Sequence, residues 1–231
     1  MIKLFEPGLQ YYVDKLNQDE FFSINRLGNG EWDCIMALRA RTGSRSQYFT
    51  PSLRKAMTKV VMDTPKPPGY YLALQNTRFL KKVGLLPKIE AFLAENGLEI
   101  PWHLGDVFHR ASEAAQLAPL VKALSKKRVV VVGPPWLESL PFATDFVPIV
   151  PNNCWDDVDE IMEQILPFRD CVISLSAGPA AKVLVDRLFP ILGHSCWILD
   201  MGSLWDPFCG VKSRTYHRRM DDTVIPANLG H

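Results

Sequence analysis

This chain is poor in the features that send a protein into a membrane, out of the cell, or onto nucleic acid by charge alone. No apolar run approaches the ~20 residues that cross a bilayer. The longest, Val129 to Val132 among them, are of strand length. The segment 1–16 carries Lys3, Glu6, Asp14 and Lys15 among its apolar residues, so it lacks the unbroken apolar stretch of a secretory signal. The five cysteines, Cys34, Cys154, Cys171, Cys196 and Cys209, are scattered and never in CxxC spacing. That pattern argues against a disulfide framework and a structural zinc site, and it points to a soluble, cytoplasmic protein. Net charge is +1 and pI about 7.6, so there is no global basic field of the kind an obligate nucleic-acid binder carries. Repeats and low-complexity tracts are also missing.

What is present is core-forming material. The 231 residues are 47% hydrophobic and 22% charged, which suits one packed α/β domain. Residues 127–133 (KRVVVVG) form a continuous β-branched run, as a strand buried on both faces does. Residues 146–150, 170–176 and 195–201 read as further strands, with helical spacing over 155–166 and 178–192 between them. Strand and helix in alternation predict a Rossmann-like, mostly parallel sheet with helices on both faces. The first half is less regular. It reads as strands at 21–25, 70–74 and 100–104, and as helices at 31–38, 51–62, 86–95 and 111–124. One domain over 1–231 is expected, with halves at about 1–125 and 126–220 and a polar tail over 221–231.

In open α/β sheets ligands bind beyond the carboxyl ends of strands, and four such ends are informative. After the first strand, Arg26-Leu27-Gly28-Asn29-Gly30-Glu31 combines a phosphate-pairing guanidinium, two turn glycines and a carboxylate. The carboxylate suits a divalent cation or an acceptor hydroxyl; it equally suits a plain helix start. Ser176, Gly178 and Pro179 form a small-residue turn ahead of a helix, with room for a phosphate. Asp200 closes an apolar strand, where a carboxylate needs a partner, and Gly202 follows it. Gly133 and Pro134 end the β-branched run beside Trp136.

In this order and spacing, the segments resemble the GT-D class of glycosyltransferases. That family's Arg-Phe-Gly-Asp-Gly-Glu type motif stands here as Arg26 to Glu31. Its Gly-Pro-Thr-Ala-x-Val-Leu type helix start stands as Gly178-Pro179-Ala180-Ala181-Lys182-Val183-Leu184, and its Asp-x-Gly as Asp200-Met201-Gly202. The resemblance runs from about Phe21 to Tyr216. It implies transfer of a hexosyl or pentosyl group from a nucleotide-diphosphate sugar, commonly UDP-linked. The family's Asp-x-Glu pair is tied to a divalent metal, Mn²⁺ or Mg²⁺. Here Asn29 replaces the Asp, leaving Glu31 as the one acidic ligand of the motif, or leaving Arg26 and helix amides to meet the diphosphate charge without metal. The expected donor contacts are Arg26, Gly28, Asn29, Gly30, Gly133, Pro134, Ser176, Gly178, Pro179, Asp200 and Gly202. Glu31 and Asp206 are the expected catalytic carboxylates. Trp32, His109, Arg110, Trp205, Arg214 and Tyr216 are the expected acceptor contacts.

The acceptor itself is open. Two stretches are locally basic, 39–45 and 212–219, and such patches follow nucleic-acid phosphates, grip a diphosphate, or simply lie in solvent. A hydroxymethylated base in phage-type DNA and a glycan are both consistent with the resemblance. A rival reading is a non-catalytic nucleotide-binding module. The GxGE turn lacks both the GxGxxG spacing and the later acidic residue of dinucleotide binders. A hydrolase is disfavoured because there is no GxSxG elbow and no HExxH pair.

Overall fold

A computed structural model describes residues 2–41, 47–221 and 223–230. The described strands are β1 (Leu4–Phe5), β2 (Ser23–Leu27), β3 (Tyr70–Leu74), β4 (Trp102–Leu104), β5 (Arg128–Gly133), β6 (Asp145–Pro148), β7 (Cys171–Leu175) and β8 (Cys196–Asp200). They form one eight-stranded sheet in the order β1-β4-β3-β2-β8-β7-β5-β6. Every pairing between these strands is parallel. The β2–β8 pairing, Ser23 opposite Ile198 and Ile24 opposite Leu199, joins the two halves of the sequence.

The described helices are α1 (Gly8–Asn17), α2 (Asn29–Ile35), α3 (Pro51–Met62), α4 (Thr77–Lys82), α5 (Leu86–Glu95), α6 (Val107–Glu113), α7 (Ala118–Leu124), α8 (Val158–Ile165), α9 (Ala180–Leu192) and α10 (Val224–Leu229). A parallel sheet must be covered on both sides, so its strands alternate between two cores. Val130, Val132, Ile173, Leu175 and Ile198 face the core of α2, α3, α5, α8 and α9. Val129, Val131, Val172 and Leu199 face the core of α1, α6 and α7. This is why the middle strands read as unbroken apolar runs. The α3 helix shows the other periodicity. Leu53, Met57, Val60 and Val61 are buried, Pro51 occupies the first turn, and the Thr50 hydroxyl accepts from Leu53 N–H at 3.2 Å.

Three expectations change. The single helix expected over 111–124 is two, α6 and α7. Ala115 breaks it at φ 56°, and Pro119 fits only the first turn of the second piece. The tail over 221–231 holds α10, whose buried Asn228 splints that break. Its amide donates to Ser112 C=O and its oxygen accepts from Leu117 N–H, both at 2.8 Å. The Leu117 amide is one that the start of α7 leaves without a helical partner, and the Ser112 carbonyl also accepts from Ala115 N–H at 3.2 Å. The N-terminal segment, given no element from sequence, forms β1 and α1, the latter burying Tyr12, Val13 and Leu16.

The strand order reverses beside β2. From β2 the chain moves outward to β3 and β4, while β7 and β8 arrive from the other side. The crevice between the ends of β2 and β8 is therefore the switch point where open parallel sheets bind ligands.

Candidate functional site

The end of β8 delivers Asp200 into that crevice with no solvent exposure. One of its oxygens, Oδ2, accepts from Lys182 Nζ at 2.7 Å and from the backbone N–H of Arg26 at 3.2 Å. The other, Oδ1, is buried without a protein partner. Lys182 lies in the first turns of α9, and its side chain is 5% exposed. Its ammonium also meets Gly178 C=O at 3.3 Å and Glu31 Oε1 at 3.5 Å. The Arg26–Glu31 loop and the Gly178 turn, far apart in sequence, are thus joined through one lysine.

Each group is held by its own local structure. Glu31, at the start of α2, turns back so that Oε2 accepts from Gly28 N–H at 2.8 Å. A Cβ on Gly28 would stand 3.1 Å from that oxygen, so the close approach needs glycine. Asn29 N–H donates to Gln75 Oε1 at 2.9 Å. Below the site, the buried Asn25 amide donates to Lys182 C=O at 2.8 Å and to the Tyr70 hydroxyl at 2.7 Å. This clamps the turn of α9 that carries the ammonium against β2.

Burial acts to raise the Glu31 pKa. The Lys182 charge, the Gly28 amide, its own amide and Arg26 outweigh it and hold the carboxyl below its ordinary value. Glu31 is therefore an ionised carboxylate at neutral pH.

Arg26 points to the opposite face of the sheet. Its Nε donates to Gly105 C=O at 2.6 Å. Gly202 has φ 56°, and a Cβ there would lie 3.0 Å from Arg26 Nη1. Near Arg26 stand His109, Tyr216 and His217. The Tyr216 ring meets His109 edge-on at 5.7 Å and His217 at 4.2 Å. Burial, then the charges of Arg26, His217, Lys182 and Arg214, push His109 well below its ordinary pKa. Burial likewise takes His217 to about 4 and raises the Tyr216 phenol to about 12. His217 Nδ1 accepts from Arg214 N–H at 3.2 Å, which puts its proton on Nε2. His109 Nδ1 and His217 Nε2 are buried without a protein partner. The result is a neutral, aromatic wall beside a guanidinium.

At the ends of β5 and β7, a Cβ on Gly133 would lie 3.2 Å from Ser176 Cβ. Ser176 Oγ is buried with no protein partner. Pro134 precedes a 3₁₀ turn, Pro135–Ser139. Pro179 sits at the N-cap of α9, and the space over Gly178 is open, with no atom within 4 Å of where a Cβ would be. Gly30 is half-buried in the first turn of α2.

Four expected contacts need correction. Trp32 is fully buried, edge-on to Phe92 and Trp102, so it fills the core and offers no stacking surface. Trp205 is fully buried against Phe142 and Phe208, and its indole donates to Ser174 Oγ at 3.0 Å. Arg110 turns away from its neighbour His109 and lies 3.9 Å from Glu6. Asp206 is 5% exposed. It accepts from Trp136 Nε1 at 3.0 Å and from the Ser213 hydroxyl, so it anchors the 203–213 loop.

Lys182 is a site residue to which the sequence reading assigns no role; its signal is that its immediate neighbours, Ala180, Ala181, Val183 and Leu184, are all apolar. Of the basic stretches, residues 42–45 of the first lie outside the described residues. The second is exposed at Lys212, Arg214, Arg218 and Arg219.

No protein-family model matches this sequence, and no curated protein matches it. Solved structures do. A glycosyltransferase of domain of unknown function 1792 (DUF1792) from Streptococcus sanguinis aligns over 89% of this chain and 84% of its own, with TM-score 0.68 and 17% identity. A second DUF1792 structure, described as having a distinct glycosyltransferase fold, aligns over 89% and 80% with TM-score 0.60 and 17% identity. A selenomethionine-substituted DUF1792 structure gives TM-score 0.63 at 15% identity. The chain has the DUF1792 fold. The GT-D resemblance of the sequence therefore holds for the architecture, eight parallel strands included. Among the described residues, no helix is long and apolar enough to cross a membrane.

The divalent metal implied by the resemblance can be tested against the DUF1792 fold as this chain builds it. Asn29 is neutral, and the two carboxylates in the crevice, Glu31 and Asp200, already share the Lys182 ammonium. Among the described residues, no group of three or more His, Cys, Asp or Glu side chains is placed to hold a metal. This donor set does not fit a divalent ion.

Proposed function

We propose that the protein is a glycosyltransferase that moves a sugar from a nucleotide-diphosphate sugar, UDP-linked, to a hydroxyl acceptor. The observation that carries this reading is the convergence of Glu31, Lys182 and Asp200 at the switch-point crevice of a sheet whose fold is shared with a glycosyltransferase. When a glycosyl bond breaks, negative charge develops on the departing diphosphate. Cations and oriented amides fixed in advance stabilise it best, because they need no reorganisation during the reaction. Lys182 supplies such a fixed positive charge on the α9 side of the crevice, and the Arg26 guanidinium adds its charge from the other side. Ser176 and the open Gly178 turn leave room for the phosphates.

Glu31, 15% exposed and ionised, orients the acceptor hydroxyl and takes its proton as the new bond forms. His109 and Tyr216 line the acceptor side with neutral groups, and Arg214 adds a charge at its rim. The exposed strip Lys212, Arg214, Arg218 and Arg219 favours a polyanionic acceptor such as DNA with a hydroxylated base over a neutral glycan. Filter binding of duplex DNA at low and moderate salt tests that extension. An affinity falling steeply with salt supports it, and one that ignores salt removes it.

The core reading is tested by a thermal-shift screen of UDP, GDP, TDP and CMP. A ligand that binds only the folded chain raises Tm by mass action, and UDP is expected to give the largest rise. No rise with any of the four overturns the donor assignment. A rise with UDP but no transfer or hydrolysis from any UDP-sugar would leave a non-catalytic nucleotide-binding module instead.

A further inference from the structure

We infer that Lys182 stands where the resemblance expects a divalent cation, so that this chain engages its diphosphate donor without metal. The inference rests on the transferase reading for the identity of the ligand, but not for the lysine's place in the site.

Two carboxylates at the mouth of a parallel sheet, one buried and one nearly so, form a natural cation site. Here the cation is covalently part of α9. The ammonium lies 2.7 Å from Asp200 Oδ2 and 3.5 Å from Glu31 Oε1, and its third direction is taken by Gly178 C=O at 3.3 Å. An ammonium has three donors and no acceptor, so this arrangement uses its whole capacity. The position is fixed from behind as well, because Asn25 holds the Lys182 carbonyl at 2.8 Å.

The charge count agrees. Glu31 and Asp200 are opposed by Lys182 and by Arg26, whose backbone amide also binds Asp200. The site is then neutral before ligand arrives, and an anionic diphosphate meets no net repulsion. Without Lys182 the same site would carry a net negative charge and would need a metal ion to accept a diphosphate. Asn29, in place of the family's acidic residue, removes one further negative charge that a metal would require and a single ammonium could not balance. Lys182 is thus a positioning residue: it sets the charge and the carboxylate geometry, and does not react.

The experiment uses EDTA-stripped full-length protein, with Mn²⁺ as the metal probe and UDP as the nucleotide probe. Free Mn²⁺ is followed by electron paramagnetic resonance for the wild type, Lys182→Met, and Lys182→Met combined with Glu31→Gln. The wild type is expected to take up no Mn²⁺, Lys182→Met to gain a site, and the double variant to lose it again. In parallel, UDP is expected to raise the wild-type Tm equally in EDTA and in Mn²⁺, and to stabilise Lys182→Met only in Mn²⁺. Wild-type stabilisation by UDP that disappears in EDTA overturns the inference, as does Mn²⁺ uptake by the wild type. Equal Mn²⁺ uptake by wild type and folded Lys182→Met overturns it too. The wild-type arms need no variant, so they decide the question even if Lys182→Met does not fold. If no nucleoside diphosphate binds in either buffer, the donor assignment fails, while the Mn²⁺ titrations still judge the lysine.

Discussion

Two polar clusters flank Arg26 on opposite faces of the sheet, and they are built on opposite terms. On the α9 face, Glu31, Lys182 and Asp200 are charged, mutually paired and anchored from behind by Asn25. On the α6 face, His109, Tyr216 and His217 are neutral, and two of their ring nitrogens are buried without a protein partner. The first cluster balances charge in a low-dielectric crevice, where an unbalanced charge is expensive. The second carries no charge of its own and leaves recognition to ring faces and hydrogen bonds. In the proposed transferase, the first cluster meets the diphosphate with fixed charge and the second holds the acceptor by shape.

The comparison is broken most directly at Glu31. Replacing Glu31 by Ala removes the carboxylate to which the proposed mechanism gives both donor geometry and acceptor hydroxyl. Transfer is expected to fall by about 10²–10⁴-fold while the circular dichroism spectrum stays native. Retained turnover would take Glu31 out of the mechanism. Next in size is Asp200→Ala, which leaves a buried ammonium without its nearest counter-charge. Urea denaturation is expected to show a loss of about 3–5 kcal/mol; a loss under 1 kcal/mol (roughly the worth of an exposed pair) would mean the charged cluster does not behave as a buried one.

Acid acts on the two faces in the same direction but in different pH ranges. His109 and His217, with His103 in β4, are held neutral by burial, His103 and His217 at about 4. Their folded values lie below the ordinary 6.5, so the unfolded chain binds more protons below that pH. Stability is full above about 6.5 and falls toward about 4, by roughly 1.4 kcal/mol per pH unit for each histidine. The depressed Glu31 carboxyl works in the same direction at lower pH. Melting curves across this range should fall steadily, and His217→Asn should flatten the slope by one proton. An unchanged slope would place His217 outside the titrating set. The smallest effect is expected at Gly202→Ala, which forces a left-handed alanine against Arg26. The expected cost is about 1–2 kcal/mol, with weaker UDP stabilisation than the wild type. A variant with unaltered Tm and UDP response would show that Arg26 does not depend on that contact.

The fold was most legible where the chain is buried on both sides. The runs at β5, β7 and β8 admit no other reading, because only strands covered by helices on two faces carry so many consecutive β-branched or apolar residues. Legibility failed where tertiary contacts override local pattern. The α6–α7 break has one local mark, Pro119, but its splint is Asn228, over a hundred residues away, and β1 is a two-residue edge strand whose pairing with β4 leaves no periodicity to detect.

The candidate site divides the same way. Arg26, Glu31, Asp200 and Gly202 stand out in the sequence because charge and glycine together at a strand end mark the place where open parallel sheets bind ligands. Trp32 and Trp205 misled because large aromatic residues at strand ends also fill the core beneath them. Lys182 was passed over because lysine in a first helical turn usually belongs to solvent, and only its wholly apolar neighbours mark this one as buried.

The central claim is that a nucleoside diphosphate sits on the crevice between β2 and β8. Its most direct test is the Tm of wild type and Arg26→Ala, titrated side by side with UDP. A rise in the wild type that is lost or sharply reduced in the variant is the predicted result. Equal rises in both proteins, or none in either, would contradict it.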